Sequence, residues 1–332
     1  MTLLGVLETT ESDPIRHSRR GVTLLSGFLG SGKTTLLRSE LDRAGDKAPA
    51  VILNDFSETL VDDVLLSVDG ERPVVLSGGC VCCTRRDDLA LALAGLLDDE
   101  QRGRTPRCDH VVIETSGLSD PGPIAFTIAN DPVLKHHYVL ARVCVTVDAL
   151  TGLGSIERHE IALRQLLAAD DVLVTKADLV SPESVEALVL RLHEFNPSAT
   201  VSVTASGHLL RKESPSGVSL ATQPLLRLLA HGADTSAIST LELSTDEPLD
   251  WQAFSVWLSL LLHRHGPDVL RVKAVLDVRD VGPVALNGVQ HVVHRPEHLT
   301  GAVPPGSRIV LIVRDIDTEL LERSFNAFLS IK

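Results

Sequence analysis

Short continuous apolar runs alternate with longer stretches of helical period through the first two thirds of the chain. Runs with no interposed polar face read as strands buried on both sides, and they fall at 22–26, 50–53, 74–76, 110–114, 143–147, 172–175 and 200–203. Between them, apolar residues spaced for one helix face predict helices over 34–43, 86–97, 157–168 and 182–194, the last opening on Ser181 as its N-cap. Repeated βα winding of this kind builds a mostly parallel α/β sheet. The pattern then changes, because "RKESPSGVSLATQ" at 211–223 is rich in Ser, Gly and Pro and reads as a loop. Beyond it, a strand near 238–244, a helix over 251–263, strands near 270–278, 289–294 and 308–313, and a last helix over 318–328 outline a small α+β unit. The expected organisation is a flexible arm over 1–20, an α/β domain over 21–210, a linker over 211–237 and a small domain over 238–332.

Composition narrows the classes of function. A chain of 332 residues exceeds one typical core, which agrees with two domains. Aromatic residues make up 3%, so the cores must be built from Leu, Val, Ile and Ala. A formal net charge of −13 disfavours coating a polyphosphate backbone, so nucleic acid is not an expected partner. The opening "MTLLGVLETTESDPIRHSRR" carries its basic residues on the wrong side for a secretory signal, and no apolar run approaches bilayer length. No membrane partner is expected, and the expected compartment is the cytoplasm, where clustered cysteines bind metal more often than they pair.

The segment "GFLGSGKT", Gly27 to Thr34, fits Gly-x-x-x-x-Gly-Lys-Ser/Thr directly after a predicted strand and before a predicted helix. Gly27, Gly30, Ser31 and Gly32 let backbone N–H groups curl around phosphate oxygens. Lys33 supplies a positive charge at the β and γ phosphates, and the Thr34 hydroxyl suits magnesium. A nucleoside triphosphate site follows.

Two later segments complete that site. "VVIETSGLSDPGPI", 111–124, ends an apolar strand in Glu114, an acid placed to hold magnesium or its water shell, and the turn through Gly117 offers a backbone N–H to a γ phosphate. Lys33 and Glu114 are therefore the expected catalytic residues. "VLVTKADL", 172–179, puts Lys176 and Asp178 at the carboxyl end of another strand, the edge where such sheets bind ligands. A fixed carboxylate at Asp178 accepts two N–H groups of guanine, and the stem of Lys176 can lie on the base plane. Between these segments "ILNDFSETLVDD", 52–63, turns from strand into an acidic loop. It reads as a switch in which Asp55 or Glu58 is a candidate for magnesium or a second metal.

The segment "GGCVCCTRRDD", 78–88, holds three of the five cysteines within four positions. Adjacent Cys82 and Cys83 are poorly spaced for a mutual disulfide. With Cys80 they offer three thiolates suited to a soft or borderline ion, zinc first and cobalt(II) next. Cys108 and Cys144 read as lone core thiols.

In order and spacing these motifs, with "LRVKAVL" at 270–276, resemble the CobW-like GTPases, relatives of the nickel-delivery GTPases that serve urease and hydrogenase. The resemblance runs from about 21 to 328, and Cys-x-Cys-Cys within a P-loop protein is its most specific mark. It implies a P-loop GTPase domain and a small CobW-type C-terminal domain. The implied activity is GTP hydrolysis coupled to delivery of zinc or cobalt to an unidentified client metalloprotein. Carried over by motif, Gly27, Gly30, Gly32, Lys33, Thr34 and Thr35 would hold phosphates and magnesium, Glu114 would be the second phosphate-motif acid, and Lys176 with Asp178 would select guanine. Three departures stand out: Asn-Asp-Phe-Ser-Glu where Asn-Glu-Phe-Gly-Glu is common, Ser-Gly-Gly-Cys where Asn-Gly-Cys is common, and Glu-Thr-Ser-Gly where Glu-Thr-Thr-Gly is frequent. The histidine-rich tract of many relatives is replaced by scattered histidines. The competing reading is a metal sensor or storage protein that binds nucleotide without significant turnover.

Overall fold

The structure, a computed structural model, describes residues 19–44, 49–53, 74–75, 86–205, 208–213, 238–290, 292–293, 296–299 and 305–329. The chain divides into two compact units, Met1–Ser216 and Gly217–Lys332.

The first unit is wound around one sheet. Its elements in chain order are β1 (Arg20–Gly27), α1 (Lys33–Ala44), β2 (Ala50–Leu53), β3 (Val74–Val75), α2 (Arg86–Gln101), β4 (His110–Glu114), α3 (Pro121–Asn130), α4 (Leu134–His137), β5 (Tyr138–Asp148), α5 (Gly152–Arg158), α6 (Glu160–Ala168), β6 (Asp171–Thr175), α7 (Pro182–Phe195), β7 (Thr200–Ala205) and β8 (His208–Glu213). The strands lie in the order β3-β2-β4-β1-β5-β6-β7-β8. All neighbouring pairs are parallel except β7 with β8. Every residue of β6 is buried, as a strand covered on both faces requires. Leu25, Leu36, Leu37, Val51, Leu53, Val112 and Leu173 join Cys144 in one of its core clusters. Ser181 accepts a hydrogen bond from Ser184 N at 3.3 Å and caps α7, as the sequence pattern predicts.

Four expectations change. The helix expected over 157–168 is two, because His159 takes an extended conformation (φ −126°, ψ 113°). Its ring stacks on Phe28 with centroids 4.7 Å apart, a tertiary contact that no local pattern announces. The stretch after Ser119, expected only as a proline-restricted exit, is helix α3, with Asp120 accepting from Gly122 N at 2.9 Å and Pro121 at the first helical position. Strand β5 starts at Tyr138, earlier than expected, because Arg142 interrupts the apolar run. Strand β8 takes up Arg211–Glu213 from the segment expected to be loop.

The second unit comprises β9 (Ile238–Thr245), α8 (Trp251–His265), β10 (Val269–Val278), β11 (Gly282–Val289), β12 (Val292–Val293), β13 (Glu297–His298), β14 (Ser307–Arg314) and α9 (Thr318–Leu329). Its sheet runs β12-β11-β10-β14-β9, with β13 on β11, and every pair is antiparallel. The last six residues of β10 alternate between partly and fully buried, the signature of a sheet with one covered face. Asp250 caps α8 through Ala253 N at 2.9 Å, and Trp257 packs edge-on against Phe325 of α9 at 5.1 Å. The strand expected at 289–294 is instead the end of β11, a turn and β12, because the Gly, Pro and Asn of "GPVALNGV" mask β11 as a turn. Among the described residues no helix is long and apolar enough to cross a membrane.

Candidate functional site

Parallel strands bring their carboxyl ends to one edge, so the residues that end β1, β4, β5 and β6 meet there. Strand β1 ends in Gly27 at φ +142°, where a Cβ would stand 2.3 Å from Thr146 Oγ1 and 2.5 Å from Thr146 O. Only glycine fits that crossing, and the loop it starts returns into α1 at Lys33. Gly30 (φ +72°) and Gly32 (φ +88°) keep the loop in left-handed backbone. Three buried hydroxyls brace it from below: Ser31 Oγ meets Thr146 Oγ1 at 2.6 Å, and Thr175 Oγ1 donates to Ser31 O at 2.7 Å. The Lys33 ammonium is buried against its own loop, donating to Gly27 O at 2.8 Å and Phe28 O at 3.2 Å. Thr35 faces solvent.

Glu114, the last residue of β4, is buried and accepts from Thr34 Oγ1 at 2.6 Å. A hydroxyl and a carboxylate thus converge at the mouth of α1, an oxygen pair of the kind that suits a hard cation. The following turn packs tightly on the loop, since a Cβ at Gly117 would stand 2.8 Å from Leu29 N. Thr115 N donates to Leu25 O at 2.9 Å, and Gln165 Nε2 donates to Gly117 O at 3.2 Å and Ser119 O at 2.9 Å.

Lys176 follows β6 in left-handed backbone, φ 56° and ψ 30°. Two contacts hold it there. Its ammonium donates to Gly30 O at 2.8 Å and pairs with Asp148, the last residue of β5. Asp178 lies in the short 3-10 turn Ala177–Leu179, exposed, with no hydrogen bond or ion pair to another described residue. Thr204 Oγ1 donates to Val174 O at 3.0 Å and joins the next strand to β6.

The structure therefore gathers Gly27, Gly30, Ser31, Gly32, Lys33, Thr34, Thr35, Glu114, Gly117, Lys176 and Asp178 along one edge. Asp55, Glu58, Cys80, Cys82 and Cys83 lie outside the described residues. Strands β2 and β3, which precede the acids and the cysteines in the chain, run parallel to β4 and end at that edge. Among the described residues no three His, Cys, Asp or Glu side chains cluster as a metal site. Cys144 is a core thiol that burial holds well above its usual pKa. Cys108 corrects the expectation: it lies half-buried in the loop before β4, and burial, then Glu100, push its pKa up to about 11. Both stay protonated and unreactive at neutral pH.

Sequence reasoning missed Asp148, Thr146, Thr175 and Gln165. Asp148 had a signal, because it closes an apolar strand in the same way as Glu114.

A sequence profile for the CobW/HypB/UreG nucleotide-binding domain matches residues 21–203, and one for the cobalamin synthesis protein CobW C-terminal domain matches 238–329. The zinc chaperone YjiA of Escherichia coli is 34% identical over 265 residues, which span 77% of this chain and 81% of that protein. Zinc-regulated GTPase metalloprotein activator 1 of Schizosaccharomyces pombe is 36% identical over 57% of this chain, and the match covers 46% of the yeast protein. The crystal structure of Zn(II)-bound YjiA GTPase from E. coli superposes with a TM-score of 0.65 at 28% identity, covering 93% of this chain and 99% of that one.

Proposed function

Because the chain belongs to the CobW/HypB/UreG family, with a CobW-type C-terminal domain, we propose that it hydrolyses GTP and uses the cycle to load zinc or cobalt(II) and hand it to a client metalloprotein. The observation that carries the nucleotide part is the Lys176 bridge: by bonding to Gly30 O it sets the base-reading segment against the phosphate loop and leaves Asp178 open.

Each residue then has a task that its surroundings support. The loop from Gly27 to Thr35, with its N–H groups at the start of α1, cradles phosphates. Lys33, resting on two loop carbonyls, exchanges them for phosphate oxygens and stabilises the charge that develops on the transferred group. Thr34 and Glu114 would hold magnesium, which when bound neutralises charge across the β and γ phosphates. Gly117 offers its N–H to the γ phosphate, and Asp178 accepts from the guanine edge while the Lys176 stem lies along the base. Cys80, Cys82 and Cys83 hold the cargo ion as thiolates, and Asp55 and Glu58 lie on the acidic segment that joins the two sites in sequence. Zinc is favoured as cargo because the relatives above are named for zinc.

The reading is tested by coupling. If GTP and metal stabilise one arrangement, each raises the other's affinity by the same factor, about 5- to 150-fold for typical couplings. Metal titrations with GTP analogue and magnesium should therefore give tighter binding than with GDP, and a Cys82→Ser, Cys83→Ser double variant should lose the effect yet still bind GTP. Equal metal affinities in the two states, together with no phosphate release from GTP above that from ATP, would leave the storage reading in its place.

A further inference from the structure

Helix α6 grips the turn after β4 from two adjacent positions. Arg164 reaches Asp120, the cap of α3, at 3.5 Å, while Gln165 donates to the carbonyls of Gly117 and Ser119. Gln165 is fully buried, and its Oε1 makes no hydrogen bond to a described residue, so the two carbonyls alone set the orientation of the amide. The side chain lines a cavity beneath Phe28 and Leu29 that has room for a water molecule. Gly117 itself is fixed on two sides, its carbonyl by Gln165 and its Cα by the Leu29 backbone. Its N–H donates to no other described residue. A donor held in place with no partner among the described residues, on a turn packed against a phosphate loop, is what a phosphate oxygen needs.

We propose that Gln165 is a positioning residue for the response to the γ phosphate: by pinning the carbonyls of Gly117 and Ser119 it places the Gly117 N–H, and it ties the position of that turn to α6. The inference rests on the GTP reading above and adds the element that feels the nucleotide state. When a γ phosphate draws in the Gly117 peptide, the carbonyls held by Gln165 move with it, and α6 is the body they pull. GDP lacks that phosphate and makes no such demand.

The test uses the full chain and two probes, a non-hydrolysable GTP analogue and GDP, each titrated with magnesium. Gln165→Met keeps the length, volume and helix preference of the side chain and removes the donor. Its affinity for the GTP analogue should fall about tenfold, the loss expected when hydrogen bonds that matter in one state go missing, with GDP affinity within about twofold of the parent. Gln165→Glu sets a carboxylate oxygen against the same carbonyls and should lose at least as much. A purely structural role lowers both affinities alike, and either that result or an unchanged ratio overturns the proposal. If Gln165→Met does not fold, Arg164→Ala tests the turn from its other end and must shift the same ratio for the proposal to stand. A parent chain that binds neither guanine nucleotide overturns the GTP reading itself, which a parent that binds both with an unchanged variant ratio would not.

Discussion

At the amino ends of the parallel strands, polar groups are satisfied by one another. Arg20 pairs with Glu100 and donates to Cys108 O at 3.0 Å, Glu100 accepts from Cys108 N at 3.0 Å, and Tyr138 donates to Leu93 O at 2.8 Å. His110 meets Thr23 Oγ1 at 2.9 Å, and Arg142 pairs with Asp171 at 3.0 Å. At the carboxyl ends of the same strands the polar contacts run largely to the phosphate loop itself. Lys33 leans on two loop carbonyls, the loop is braced from beneath by Thr146 and Thr175, and Asp178 has no described partner. The contrast separates two uses of polarity in one sheet. Closed networks contribute to stability, and half-open ones keep capacity for a ligand at some cost to the empty state.

Changes at the open edge should therefore act on ligand and turnover, and changes at the closed edge on unfolding. The largest effect expected is from Lys33→Ala, which should lower the rate of phosphate release by roughly a hundred- to a thousandfold, as when a charge-stabilising donor is removed. Its melting midpoint should stay close to the parent's, and a steady-state assay paired with a thermal melt checks both.

Next is the pH dependence contributed by His110, whose pKa burial, and then Arg142, lower from 6.5 to about 4. The folded chain keeps this ring neutral where the unfolded chain protonates it. Its contribution is thus complete above pH 6.5 and is lost as pH falls toward 4. Between pH 7 and 4.5 this loss amounts to about 2.5 kcal/mol. Urea unfolding at the two pH values should show the parent's unfolding free energy falling by that amount more than that of His110→Gln, with nucleotide affinity at pH 7 unaffected. An equal fall in both chains would remove His110 from the closed network.

Smaller again is Asp178→Asn, which turns one of two acceptor oxygens into a donor and should weaken GTP by about 2 kcal/mol. Stability should move by less than about 0.5 kcal/mol, because the side chain is exposed. Unchanged GTP affinity would break the guanine assignment, and a large loss of stability would break the contrast between the two edges.

Much of this arrangement was legible in the sequence because the physics there is local. The phosphate loop needs glycines at positive φ next to a helix start, and "GFLGSGKT" announces both. Glu114 closes an apolar run, and Lys176 and Asp178 follow another. What stayed hidden depends on partners distant in sequence. The break at His159 comes from stacking on Phe28, the bracing by Thr146 and Thr175 from strands that meet only in the sheet, and the grip of Gln165 from α6 crossing behind the turn. Helix α3 lies between these cases. Asp120 and Pro121 mark a helix start, but its glycine, two prolines and scarcity of charged residues do not read as a helix face.

The distribution of aromatic rings has an optical consequence. Both tryptophans of the chain, Trp251 and Trp257, lie on α8 of the second unit, and the single tyrosine, Tyr138, is buried in the first. Excited at the red edge of absorption, the protein emits from the second unit alone. The two indoles also differ in surroundings, Trp257 being 3% exposed and Trp251 36%, so loss of that unit's packing shifts the spectrum to longer wavelength. Calorimetry registers heat from both units. A nucleotide that raises the calorimetric midpoint while leaving the emission midpoint in place assigns its binding to the first unit with no added dye. One that moves both shows that the C-terminal unit senses what the loop holds.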